Sequence, residues 1–166
     1  MTVLKQIENS ASKRDNLVGA IMANVYMLLI IALFTARILG WLEVGRWIGF
    51  VSSLVLIPLI YLLAAGFRTG RRRIYFAWLG LMVLFVLFEL IADQILTVDL
   101  RSDQSVVIPY VMFFFAATGG MIGVASQAGK VWTVTTVIIF FVMANLVFRS
   151  TCNNGILADS TRGNSS

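Results

Sequence analysis

Apolar residues fill this chain in five long runs separated by short polar breaks, from Leu17 to Phe148. The runs cover about residues 17–39, 47–67, 74–95, 106–126 and 131–148. A helix needs roughly 20 apolar residues, rising about 1.5 Å each, to cross a hydrocarbon core of about 30 Å. The pattern therefore predicts an all-α fold, a polytopic transmembrane bundle of five helices. The block from Val106 to Phe148 is 43 residues long, twice the required length, and Gln127-Ala128-Gly129-Lys130 interrupts it. Two helices joined by a tight turn fit that block better than one.

The flanks are polar. Residues 1–16 carry Val3, Leu4, Ile7 and Ala11 at helical spacing and fit either a short helix on the inner membrane surface or a frayed tail. Residues 149–166 are small and polar, a composition that predicts disorder. Lys13-Arg14 ahead of an apolar run resembles the start of a signal peptide. The run is too long for such a segment and no A-x-A site follows, so an uncleaved first span is expected.

Composition agrees with the pattern. Charged residues make up 13% of the chain and hydrophobic residues 59%, whereas soluble domains are about a quarter charged. The net charge of +5 is carried beside the apolar runs, so the expected partner is the lipid bilayer with its anionic headgroups, and not nucleic acid. An integral membrane location follows, with the cytoplasmic membrane of a bacterium the expected one.

Orientation can be read from the loops. With the N-terminus inside, Lys5, Lys13, Arg14, Arg68, Arg71, Arg72, Arg73 and Lys130 lie on the inner side, and Arg37, Arg46, Arg101, Arg149 and Arg162 on the outer, a split of 8 to 5. Arg68, Arg71, Arg72 and Arg73 share one short loop, where basic residues weigh most, so they set the topology and meet lipid headgroups. Trp41, Trp47 and Tyr110 fall at the outer boundary of this arrangement, and Tyr75, Trp78 and Trp132 near the inner one, as interfacial rings prefer. The expected topology is N-in, C-out.

The chemistry available is narrow. Cys152 is the lone cysteine and there is no histidine, which excludes an intrachain disulfide, Cys/His zinc sites, His-ligated haem and His-based catalysis. No cofactor and no metal are expected, and an enzyme is the least supported class. Asp99 and Asp103 lie in an outer loop that lacks the ligand pattern of a calcium site.

Lipid makes the remaining ionisable groups informative. Glu89 and Asp93 lie four residues apart in the third run, on one helix face. A charged side chain at the bilayer centre costs about 2.5–3.5 kcal/mol on insertion scales, so it persists with a partner, a wet cavity or a task. Glu89 lies roughly 24 Å along its helix, in the outer leaflet, by the 1.5 Å rise. Arg37, Ser52, Ser53 and Asn145 reach a similar depth on other helices, with Tyr110 above them. Depth alone brings Arg37, Ser52, Ser53, Glu89, Asp93 and Asn145 together as a candidate polar site. One reading is an ion pair of Arg37 with Glu89 or Asp93 that fixes packing. The other is a cup, open to the outside, that binds a small cation or polar ligand or relays a proton through Glu89.

Packing motifs complete the picture. Gly119, Gly120 and Gly123 form a small-residue face that lets helix backbones approach, within the bundle or in a homodimer. Pro58 is expected to kink the second span, whereas Pro109 sits in a first helical turn where its missing N–H costs little. Two functions fit. One is a small transporter or channel-like protein, expected to be a homo-oligomer because five short helices enclose little volume. The other is a non-catalytic accessory, assembly or sensor subunit packed against another membrane protein.

Overall fold

The computed structural model describes the backbone of residues 2–91 and 104–162, and the side chains of residues 12–41, 43–91 and 108–146. Asp93 and the loop carrying Asp99 and Asp103 lie outside the described residues, as does the side chain of Cys152. The described chain is all helical. Its segments are α1 (Thr2–Ile38), α2 (Leu42–Ser53), α3 (Leu56–Arg68), α4 (Arg73–Glu89), α5 (Gln104–Ser126) and α6 (Lys130–Arg162). They fall on the five apolar runs, with α2 and α3 as the two halves of one broken helix.

Three stretches are long and apolar enough to cross a membrane: Ser12–Ile38, Glu43–Arg68 and Ile108–Ser126. Lys130–Leu146 is a shorter apolar helix, and the 17 residues of α4 are apolar from Ile74 to Phe88. Both flanks extend neighbouring helices. Residues 2–16 continue α1 without interruption, and α6 runs on to Arg162 through the polar segment that composition assigns to a disordered tail. Extending a formed helix avoids the nucleation that makes an isolated turn unfavourable.

α1 is the central helix, packed on α2, α3, α5 and α6, while α4 packs most closely on α5 and also on α3. Its buried residues Ala20, Ala23, Met27, Ile30 and Phe34 recur at three- and four-residue spacing and so form one stripe. Leu59 and Leu62 of α3, Leu79, Met82 and Phe85 of α4, and Ala117, Met121 and Val124 of α5 close the same core. The outward faces are equally apolar. Trp47, Ile57, Phe67, Met112 and Val131 are each about 70% exposed or more. Helices apolar on all sides belong in a membrane or deep inside a large protein, and these exposed faces suggest a membrane protein.

Buried polar groups are few and satisfied. Asn24 donates to the Ala20 carbonyl at 2.7 Å, and the Thr136 hydroxyl lies 3.2 Å from Asn24 Oδ1 and 2.7 Å from the Trp132 carbonyl. This side-chain pair ties α1 to α6. Among the described residues no buried side-chain nitrogen or oxygen lacks a hydrogen-bond partner.

The glycine face of α5 divides in two. A Cβ at Gly120 would sit 2.9 Å from the Trp78 carbonyl oxygen, and one at Gly123 would sit 2.5 Å from the Trp78 indole. Both glycines therefore serve the α4–α5 contact inside the protein. Gly119 points away, with nothing within 4 Å of the added carbon. Gly120→Ala and Gly123→Ala should each destabilise the bundle by about 1–3 kcal/mol through overpacking. Gly119→Ala should leave the thermal unfolding midpoint in detergent unchanged or slightly raised, because it adds helix propensity without a clash. Equal midpoints for all three variants would contradict the packing described.

Candidate functional site

The broken second helix builds the site. Pro58 has no N–H to give the Leu54 carbonyl, and its ring crowds that same carbonyl. The regular ladder accordingly fails at Leu54 and Val55, between α2 and α3. Bonds that span three residues take over: Leu54 N–H to the Val51 carbonyl at 3.1 Å, Val55 to Ser52 at 3.2 Å and Ile57 to Leu54 at 3.2 Å. The two serines at the break bond back along their own helix. Ser52 Oγ donates to the Ile48 carbonyl at 2.8 Å and Ser53 Oγ to the Phe50 carbonyl at 2.6 Å. Such back-bonding bends helices, and it leaves the oxygen lone pairs of both hydroxyls free to accept.

Gly49, Ser52 and Ser53 lie three and four residues apart and share one face of α2. That face lines a small cavity whose other walls are Tyr26, Ile30 and Leu33 of α1, and Val86, Glu89 and Leu90 at the end of α4. The α1 wall is closed, its three side chains being at most 4% exposed, and apolar but for the Tyr26 phenol. Glu89 is half-buried at the other side. The Tyr110 hydroxyl of α5 donates to Glu89 Oε1, so the carboxylate is held from behind. Directly after Glu89 the helix takes a π-helical turn at Leu90 and Ile91, a distortion frequent at functional sites.

The cavity has room for about one water molecule, which limits what it can hold. The polar side chains of its lining are the Glu89 carboxylate, the Tyr26 phenol and the Ser52 and Ser53 hydroxyls, and Tyr110 bonds the carboxylate from outside the lining. Such a set accepts hydrogen bonds and stabilises positive charge, and it suits a water, a proton or a small dehydrated cation. A polar organic ligand does not fit. A divalent ion such as calcium requires six to eight oxygen ligands, more than these groups provide.

Of the residues expected at this depth, the structure brings Glu89, Ser52 and Ser53 to one cavity. Arg37 is half-buried in the last turn of α1, on the same face as Tyr26, Ile30 and Leu33 but one turn beyond the cavity wall. Asn145 is exposed on α6, outside the cavity. Depth placed it at the right level, but the rotation of α6 turns it away. The lining also includes Gly49 and Tyr26, which polarity alone does not single out. The three- and four-residue spacing of Gly49 to Ser52 and Ser53 was the available signal for the first.

A second polar cluster lies at the opposite end of the bundle. Arg71, in the α3–α4 turn, donates through Nη1 to Asn16 Oδ1, and through Nη2 to the Ser12 carbonyl at 3.0 Å and Ser12 Oγ at 3.1 Å. Its guanidinium carbon lies 4.8 Å from the centre of the Tyr75 ring. Asn16 Nδ2 in turn donates to the Gln127 carbonyl at 3.0 Å, in the α5–α6 turn. One asparagine thus fastens three segments. Arg68, Arg72 and Arg73, by contrast, are exposed.

Compared with known proteins, the chain matches no family model, no curated sequence and no solved structure.

Arg71→Gln and Asn16→Ala should each lower stability by about 1.5–3 kcal/mol, the range for hydrogen bonds to charged groups. Because they share one bond, the double variant should lose less than the two single losses added together. A double-mutant cycle of unfolding in detergent checks this, and strict additivity would show that the two side chains do not interact.

Proposed function

We propose that the chain crosses the bilayer five times, N-terminus inside and C-terminus outside, and is a small transporter or channel-like protein. Its working group is Glu89, which carries a proton or a small monovalent cation. The observation that supports this is the carboxylate at the edge of a cavity of about one water's size, held by Tyr110 and faced by the small polar side of α2. Ionisable groups kept within membrane spans typically mark ion pathways or proton relays. The helix break beside the cavity adds a joint at the place where a gate would be needed.

An accessory role rests on a different surface. Ala116 and Gly119 are exposed on α5 and would let another membrane helix approach closely. Purification in mild detergent separates the two readings: a stoichiometric foreign partner favours the accessory role, and a homogeneous self-assembly favours the transporter.

Flux decides more directly. Purified protein in vesicles with an internal pH dye should carry protons, or a small cation across a gradient, faster than empty vesicles. Glu89→Gln should abolish that flux while keeping the unfolding midpoint, and Tyr110→Phe should reduce it several-fold. Wild type indistinguishable from empty vesicles, or Glu89→Gln indistinguishable from wild type, would refute the proposal.

A further inference from the structure

The end of the bundle opposite Glu89 sorts its cations into two kinds. Arg71 is turned inward, bonded to Ser12 and Asn16 and stacked on Tyr75. Lys13, Arg14, Arg68, Arg72, Arg73 and Lys130 are all exposed. They come from three segments that the Arg71–Asn16–Gln127 hydrogen bonds hold together, so their charges converge on one rim. Asp15, half-buried, is the one acid among the side chains described there.

Each part of this rim pairs a cation with an exposed apolar neighbour on the membrane side. Phe67 precedes Arg68 and is 71% exposed; Ile74 follows Arg73 at 53% and Val131 follows Lys130 at 77%. Leu17, 43% exposed, lies one turn beyond Lys13. A free phosphate or a polyanion would use the charges and leave these apolar side chains uncovered. A molecule with a negative head and acyl chains covers both.

We propose that this rim is a binding surface for anionic phospholipid, with Arg68, Arg72 and Arg73 as the principal headgroup ligands and Arg71 as the fastener that positions them. A juxtamembrane cation near an anionic leaflet acts mainly as a screened charge, so lysine can replace arginine here but glutamine cannot. The surface is independent of Glu89 and requires only that the chain lie in a bilayer.

The test uses quenching of the intrinsic tryptophans by brominated lipid in vesicles of mixed composition. Wild type should prefer brominated phosphatidylglycerol over brominated phosphatidylcholine several-fold, and the preference should weaken as salt is raised. The R68Q/R72Q/R73Q variant should lose it, while R68K/R72K/R73K and Glu89→Gln should keep it. Millimolar inorganic phosphate should not displace the lipid. No preference in wild type, a preference retained by the glutamine variant, or displacement by phosphate would each overturn the proposal. A Glu89→Gln protein that keeps the lipid preference but carries no ions separates this surface from the cavity.

Discussion

Lipid offers no hydrogen bonds, and nearly every feature of this structure follows from that one constraint. Backbone groups must pair within their own segment, which makes the spanning elements helical. Polar side chains must find partners inside the protein, and among the described residues the buried ones do. Asn24 and Thr136 satisfy each other between α1 and α6, while Thr118 bonds back to the carbonyls of Phe114 and Phe115. Where Pro58 breaks the ladder, Ile57 N–H serves the Leu54 carbonyl instead, and two serine hydroxyls bond back to Ile48 and Phe50. The cavity beside Glu89 is the place where satisfaction leaves something over: acceptor lone pairs facing a space that water can enter.

Without a hydrophobic force between helices, packing has to come from shape. The α4–α5 contact shows how: two glycines receive Trp78, and a cluster of rings from Phe85, Phe88, Tyr110, Phe113 and Phe114 continues the seam outward. That aromatic seam ends at Tyr110, whose hydroxyl reaches Glu89. The same packing that joins the two helices thus delivers the donor to the carboxylate. At the opposite end polar bonds join the segments instead, from Arg71 to Ser12 and Asn16 and from Asn16 to Gln127.

Much of this was legible in the sequence because hydropathy and depth are one-dimensional quantities. The five apolar helical runs, the turn at Gln127–Gly129 and the break near Pro58 announce themselves in composition or in proline chemistry, whereas the continuation of α6 to Arg162 through polar residues does not. Rotation about a helix axis does not. Asn145 and Gly119 have the right depth and residue type, and both face outward; Gly120 and Gly123, one and four residues further along α5, face Trp78. Both faces of these helices are apolar, so no amphipathic stripe marks the inner one. Tyr26 was hidden for the same reason, as an aromatic ring in an apolar run gives no hint that it walls a cavity. The fate of Arg71 was equally invisible, since four arginines of one loop read alike until Asn16 chooses between them.

The interruption at Leu54 and Val55 makes α2 and α3 two short rods and not one long one. α3 packs on α4 at Gly66, where Tyr75 and Phe76 close in, whereas α2 leans chiefly on α1 and touches α4 little. A bilayer that thins or thickens must be met by tilting or bending of its helices. In this chain the break already separates two rods, and the one less held by α4 carries Ser52 and Ser53. Any change of spacing between α2 and α4 would register first at the cavity wall, because Ser52 and Ser53 of the one share it with Glu89 of the other.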